Sequence, residues 1–158
     1  MRNLIIGSCF TLTACMALAQ SEEIATCRSP SGTAYFHYSA GVDKAGSGWT
    51  DDKISKGVFT LVRAKDGSFD VLYIDGRSKP ISSTQDGAMV RVLRSSSENL
   101  TLLVYYERAT TEIYSFFKEK DGKSKFSMLT NKTGNGALIQ KSSVMVGDCD
   151  PIRFNLIR

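Results

Sequence analysis

The residue types that usually carry out catalysis are sparse in this 158-residue chain. Its one histidine, His37, excludes a metal centre built from several imidazoles and leaves a Ser–His–Asp triad only one candidate base. No Gly-x-Ser-x-Gly sequence holds a nucleophilic serine, and no motif selects a carboxylate pair for glycoside hydrolysis from the 16 Asp and Glu residues. Asp148 and Asp150 flank Cys149 but supply too few oxygen ligands for a calcium loop. We therefore expect a non-enzymatic protein with no catalytic, cofactor or metal site.

Four side chains remain as candidates for binding rather than catalysis: Ser31, Tyr35, His37 and Trp49. Tyr35 and His37 belong to a short aromatic run, and alternation along a strand would place both of them on one face. The simplest interpretation of the run is an ordinary strand, and Trp49 is most simply a core or lid residue. The four are retained because aromatic and hydroxyl groups on one surface can recognise a partner.

Residues 1–19 have the pattern of a secretion signal. Arg2 is followed by an apolar stretch, and Ala17-Leu18-Ala19 fits the small-x-small pattern of a cleavage site. Two alternatives remain, a buried N-terminal helix and a lipobox in which Cys15 becomes a lipid anchor. The prediction is a signal peptide over 1–19, a single β-rich domain over 20–158 without a transmembrane helix, and a periplasmic or secreted location, with a membrane-anchored lipoprotein as the alternative.

Removal of the signal leaves two of the four cysteines, Cys27 and Cys149. Exported proteins form disulfides, so we expect these two residues to be bonded to each other and to tie the ends of the mature chain together. The alternative, a reactive thiol, lacks support because the chain contains no Cys-x-x-Cys sequence.

The elements that must position these residues have the pattern of an all-β protein. Asp-Gly and Asn-Gly pairs, which favour tight turns, recur between short segments rich in β-branched and aromatic residues. The spacing predicts an antiparallel meander of about seven to nine strands that forms a small barrel or sandwich. The turn pairs begin at Asp66, Asp75, Asp86, Asp121 and Asn135, and the strands are expected at 58–62, 69–74, 88–93, 100–106, 112–117, 126–130 and 143–146, with 33–38 and 152–154 as additions.

Residues 41–57 depart from this pattern. The segment holds four glycines, a charged run and the only tryptophan. Thr50 is a suitable N-cap for a short helix. We therefore predict a long loop with one helical turn here, which would cover one end of the sheet.

The net charge of +4 is modest, and arginines are not interleaved with aromatic residues. The lysine-rich stretch 118–125 is most simply a solvated hairpin tip. We expect no nucleic-acid partner, and the remaining candidates are a protein or a small-molecule ligand of the cell envelope.

Several motifs resemble those of a group of small secreted bacterial proteins of unknown function that carry a single disulfide. The similarity runs from about Cys27 to Phe154 and implies no particular activity or ligand. The motifs are Trp49-Thr50-x-Asp52-Lys53-Ile54-Ser55-x-Gly57, Thr111-Glu112-Ile113-Tyr114, Gly122-Lys123-Ser124-Lys125-Phe126 and Val146-Gly147-Asp148-Cys149.

A second resemblance lies near the mature N-terminus. Ser31-Gly32-Thr33-Ala34-Tyr35 is similar to the Ser-Gly-x-x-Tyr motif of the periplasmic and membrane-bound inhibitors of C-type lysozyme, which are small β-barrels. The resemblance implies that Ser31 and Tyr35 lie on an exposed loop able to enter an enzyme's cleft. The second motif of that family is Tyr-x-x-x-Thr-Lys-Gly. Tyr106 and Thr110 match its start, but Thr111-Glu112 replaces the final Lys-Gly.

The leading hypothesis is therefore an exported, non-enzymatic binding or interaction module of the cell envelope. The alternative is an inhibitor of C-type lysozyme or a related glycosidase, and a third hypothesis is a hydrolase of envelope polymers. An aromatic-lined cavity would favour a small ligand, whereas a solid core would favour a protein partner.

Overall fold

The computed structural model describes residues 21–74, 79–108, 110–134 and 136–157. The predicted signal segment 1–19 with Cys15, the Asp75-Gly76 pair and Asn135 of the last turn pair lie outside the described residues. The described chain is all-β, with ten antiparallel strands and one 3-10 turn at Phe154–Leu156. The strands are β1 Glu22–Phe36, β2 Gly48–Lys53, β3 Val58–Arg63, β4 Phe69–Ile74, β5 Ile81–Ser82, β6 Met89–Ser95, β7 Asn99–Tyr106, β8 Thr110–Lys118, β9 Ser124–Lys132 and β10 Lys141–Cys149.

All ten strands form one sheet that curls into a half-barrel. Its order is β5-β4-β3-β1-β10-β9-β8-β7-β6, with β2 also paired to β1. The strands β6 to β10 form the predicted meander, and β1 joins the last of them to β3. The curl brings β4 and β6 into contact across the concave face. The all-β antiparallel prediction is therefore confirmed.

The turn chemistry explains the hairpins. In the β3–β4 hairpin Gly67 has a φ of +85°, and the Asp66 carboxylate accepts hydrogen bonds from the Ser68 backbone N–H at 2.9 Å and hydroxyl at 2.6 Å. In the β8–β9 hairpin Gly122 has a φ of +90°, and the lysine-rich stretch forms the tip of this hairpin. Positive φ is accessible to glycine without a steric penalty, so these pairs fix the turns.

β1 is much longer than predicted because it has two consecutive partners on one side. Its first half pairs with β3 and its second half pairs with β2, with β10 along the other side. The pairing register with β10 shifts between Arg28 and Ser31, where Ser29 has a φ of 47°. Pro30 lies at this irregularity inside the strand, where a missing backbone N–H is tolerated.

The predicted helical turn over 41–57 is wrong. Residues Gly48–Lys53 form β2, whose Trp49 and Thr50 lie opposite Tyr35 and Ala34 of β1. Pairing with the free side of β1 satisfies the backbone groups of this segment better than a single exposed helical turn would. The strand expected at 152–154 is also absent, since this segment leads into the 3-10 turn.

The disulfide prediction is confirmed. Cys27 and Cys149 lie directly opposite each other on β1 and β10, with an S–S distance of 2.03 Å. Cys27 is fully buried beside the main core, which lies on the concave face. The largest buried side chains of that core are Tyr114, Phe116, Phe126, Ile24, Leu61, Leu100, Leu102 and Met145.

Candidate functional site

A cavity of about 490 Å³ opens on the concave face, next to the buried core. It lies where the inward-facing side chains of β8, β9 and β10 change from apolar to polar. Because alternate residues of a strand face the same side, the register across these three strands defines rows of inward-facing neighbours. The lining residues are Ile54, Phe59, Tyr73, Asp86, Tyr106, Arg108, Thr110, Glu112, Tyr114, Met128, Thr130, Lys132, Gly136, Lys141 and Ser143.

The deepest row of the cavity is apolar. Tyr114, Met128 and Met145 lie side by side on β8, β9 and β10, and all three are buried. They form the boundary between the cavity and the core. Of these three residues, Tyr114 and Met128 line the cavity, so its wall is continuous with the buried core.

The next row is polar and consists of Glu112, Thr130 and Ser143. Thr130 lies opposite Glu112 on one side and opposite Ser143 on the other. Thr130 is 8% exposed and Ser143 is 4% exposed, yet neither hydroxyl has a hydrogen-bond partner among the described residues. A buried hydroxyl without a partner costs about 1–3 kcal/mol, and such groups are uncommon in folded proteins. Two such hydroxyls lie side by side in the wall of the cavity.

Glu112 is held by its neighbour along β8. The Tyr114 hydroxyl donates a hydrogen bond to Glu112 Oε2 at 2.7 Å. Burial raises the pKa of the Glu112 carboxyl above its ordinary value, against the opposing effects of Tyr114 and of the ammonium groups of Lys132 and Lys141. Burial and the nearby Glu112 charge also raise the pKa of Tyr114 well above its ordinary value. The tyrosine therefore keeps its proton and remains the donor.

The row at the mouth of the cavity is basic. Lys132 of β9 and Lys141 of β10 lie directly opposite each other, although like charges in this arrangement repel. Lys141 Nζ forms an ion pair with Asp52 Oδ2 at 2.6 Å and lies 5.7 Å from the centre of the Phe36 ring. Within the described part of the chain, Lys132 has no carboxylate within ion-pair distance.

The opposite wall is aromatic. Phe59 of β3, Tyr73 of β4 and Tyr106 of β7 line it, and Phe59 packs at 6.1 Å from the Tyr114 ring. The Tyr73 hydroxyl donates to Asp86 Oδ2 at 2.8 Å, and burial is the main cause of the raised pKa of both Tyr73 and Tyr106. The cavity thus combines ring surfaces on one wall with hydroxyl and ammonium groups on the other.

The four residues proposed from sequence lie elsewhere. Ser31, Tyr35 and Trp49 alternate with the buried Ala34 and therefore lie on the convex face. Tyr35 contacts His37 and Trp49 edge to face, at centroid distances of 5.0 and 5.5 Å, and Trp49 is 72% exposed. The structure brings these three aromatic side chains together, but on the side of the sheet opposite the cavity.

The segment from Ser31 to Tyr35 is part of β1, with β2 and β10 on either side. The exposed loop expected from the resemblance to lysozyme inhibitors is therefore wrong. A strand paired on both sides cannot extend into an enzyme's cleft, because its backbone hydrogen bonds already go to its neighbours.

The structure also brings His37 close to a serine. His37 Nε2 lies 3.3 Å from Ser142 Oγ, and Ser142 donates a hydrogen bond to Asn131 Oδ1 at 2.9 Å. Among the described residues no carboxylate contacts His37, so the orienting acid of a triad is not assembled there. The described residues also contain no group of three or more His, Cys, Asp or Glu side chains arranged to hold a metal ion.

The cavity residues were not recognised in the sequence, although a signal for them exists. On β8, the inward-facing residues Phe116 and Tyr114 are followed on the same face by Glu112. On β9, the inward-facing residues Phe126 and Met128 are followed on the same face by Thr130. A row that begins apolar and ends polar indicates a core that opens into a cavity. The alternation was used only to assign strands.

Comparisons of the chain with known protein families, with curated proteins and with solved structures found no match. No helix of the described residues has the length and apolar character needed to cross a membrane.

Proposed function

We propose that this protein is an exported, non-enzymatic binding module of the cell envelope, and that its cavity receives a small molecule. The observation that carries the proposal is the pair of buried, unpartnered hydroxyls of Thr130 and Ser143 on the cavity wall. A ligand that hydrogen-bonds to them would recover free energy that the free protein loses. The apparent secretion signal and the disulfide between Cys27 and Cys149 support the location.

The size and lining of the cavity agree with this role. Its volume of about 490 Å³ lies within the usual range of small-molecule sites, about 300–1,000 Å³. Such sites combine apolar walls with a few convergent polar groups. Here the aromatic wall of Phe59, Tyr73 and Tyr106 faces the hydroxyls of Thr130 and Ser143 across the concave face.

The test is thermal unfolding of the mature protein with four probes: sodium acetate, inorganic phosphate, D-glucose and phenol. A probe that binds the folded state alone raises the unfolding midpoint as its concentration rises. We expect at least one of the four to do so in a saturable manner. If none of them raises the midpoint, the cavity is not a small-molecule site and the proposal is wrong.

Two neighbouring serines of β10 provide a matched pair of variants. Ser143→Phe fills the cavity and should abolish the shift, whereas Ser142→Phe places the same ring on the convex face and should preserve it. Retention of the disulfide and of the β-sheet circular dichroism signal shows that each variant is folded. A probe that shifts both variants equally binds outside the cavity, and this outcome also contradicts the proposal.

A further inference from the structure

The mouth of the cavity contains a compact cationic patch, which we define as Lys132, Lys141, Thr130 and Ser143. Lys132 lies opposite Lys141, and Thr130 lies opposite Ser143, on the neighbouring strands β9 and β10. Within each strand, the lysine and the hydroxyl residue are two positions apart and face the same side. The patch therefore groups two ammonium groups and two buried hydroxyls in one small region.

The arrangement is unfavourable for the free protein. Opposed like charges destabilise a strand pair, and each unpartnered buried hydroxyl adds a desolvation cost. Asp52 compensates Lys141 at 2.6 Å, but no described carboxylate pairs with Lys132. All four groups can donate hydrogen bonds to an anion, so one bound anion would remove both costs together.

Glu112 is the carboxyl group nearest to this patch in the register. It forms no ion pair with either lysine among the described residues, although both ammonium groups favour its charged form, and its Oε2 accepts the Tyr114 hydrogen bond at 2.7 Å. Asp86 lines the opposite wall and is held by Tyr73. Arg108 adds a further positive charge among the lining residues.

We infer that the ligand is a small organic oxyanion, a carboxylate or a phosphate, whose charged group binds the cationic patch and whose apolar or ring-shaped body packs against Phe59, Tyr73 and Tyr106. This inference rests on the proposed function and adds the chemical class of the ligand. Carboxylate and phosphate share the recognition chemistry used here, namely oxygen acceptors that carry negative charge.

The test is isothermal titration calorimetry of the mature protein with three probes that share one aromatic ring. Phenol carries no charged group, benzoate carries a carboxylate and phenyl phosphate carries a phosphate. We expect at least one of the two anions to bind about tenfold or more tightly than phenol, a difference of about 1.4 kcal/mol. The tighter anion identifies the source of the oxyanion. Equal affinity of phenol and both anions overturns the inference and leaves the proposed function standing, and failure of all three to bind also overturns it.

Two lysines from different parts of the sheet, Lys132 in the patch and Lys123 outside it, supply the matched variants. Lys132→Met should remove most of the preference for the anion over phenol and leave the affinity for phenol unchanged. Lys123→Met, in the exposed β8–β9 turn, should preserve the preference. Lys132→Gln repeats the test in case the methionine variant fails to fold.

The two variants also give a readout without ligand. Removing Lys132 relieves its repulsion of Lys141, so the urea midpoint of the free protein should rise, and it should not rise for Lys123→Met. An anion preference that survives both substitutions of Lys132 would place the bound anion away from the patch and overturn the inference.

Discussion

Substitution of the two unpartnered hydroxyls should stabilise the free protein, which is the reverse of the usual effect of a buried substitution. Thr130→Val keeps the shape of the side chain, and Ser143→Ala removes one oxygen beside the cavity. Each variant abolishes a desolvation cost of about 1–3 kcal/mol. Because the residues are directly paired, their effects will not be independent, and we expect the double variant to gain about 2 kcal/mol or more.

The same substitutions at two hydroxyl residues that do make hydrogen bonds, Thr26 and Ser83, give the control. Thr26 is 9% exposed and donates to Glu23 Oε1 at 2.8 Å, and Ser83 is fully buried and donates to the Val71 carbonyl at 2.8 Å. Thr26→Val and Ser83→Ala remove hydrogen bonds, so each should lose about 1 kcal/mol or more.

The assay is equilibrium unfolding in urea with the disulfide intact. The dependence of the unfolding free energy on urea concentration must have the same slope in all variants. Destabilisation of the protein by Thr130→Val and Ser143→Ala to the same extent as by the two control variants would contradict this prediction. That result would mean that both cavity hydroxyls already make hydrogen bonds that stabilise the free protein.

Three further predictions concern other features of the fold. Replacing Cys27 and Cys149 with alanine should lower the free energy of unfolding by about 4–5 kcal/mol, because the bond closes a sequence separation of 122 residues; an unchanged urea midpoint would refute this. Because burial raises the pKa of Glu112 in the folded state, the unfolded chain ionises first as pH rises, and stability falls from the ordinary glutamate pKa of 4.5 upward until the folded-state pKa is passed. Glu112→Gln should therefore flatten the fall in unfolding free energy that begins above pH 4.5, and an unaltered slope would contradict this prediction. Gly147→Ala should cost about 1–3 kcal/mol, since the added methyl would collide with the Phe126 ring and lie 2.8 Å from a backbone oxygen, and a variant as stable as the parent would show that the strand can shift.

The sequence was sufficient for the strands whose side chains alternate strongly and whose turns contain Asp-Gly. β4 was predicted with its observed bounds at 69–74, and β3, on the other side of the Asp66-Gly67 turn, within one residue at each end. These elements depend on local chemistry, since glycine fixes the turn and alternation fixes the buried face. The disulfide was also predictable, because only Cys27 and Cys149 lie outside the predicted signal segment.

Pairing between distant segments was not predictable in the same way. β2 exists because β1 offers it a free side after the irregularity at Ser29, and no local pattern in 48–53 reveals that partner. The length of β1 has the same cause. Tertiary contacts overrode the weak helix signal at Thr50.

The site was the least predictable part of the molecule. Its groups come from β8, β9 and β10 and converge only when register places Glu112, Thr130 and Ser143 in one row. Aromatic residues close together in the sequence were more conspicuous, but Tyr35 and Trp49 lie on the convex face. Sequence proximity therefore favoured the wrong face of the sheet.

The binding of an organic oxyanion in the concave cavity is tested most directly by an NMR titration of the isotope-labelled mature protein with phenyl phosphate and, separately, with benzoate. We predict that at least one probe shifts the backbone amide signals of Thr130 and Ser143 saturably, while the indole N–H of Trp49, on the convex face, stays unchanged. Shifts confined to Trp49 and Tyr35, or no saturable shift at Thr130 and Ser143 with either probe, would contradict the assignment of the concave cavity as the site of an organic oxyanion.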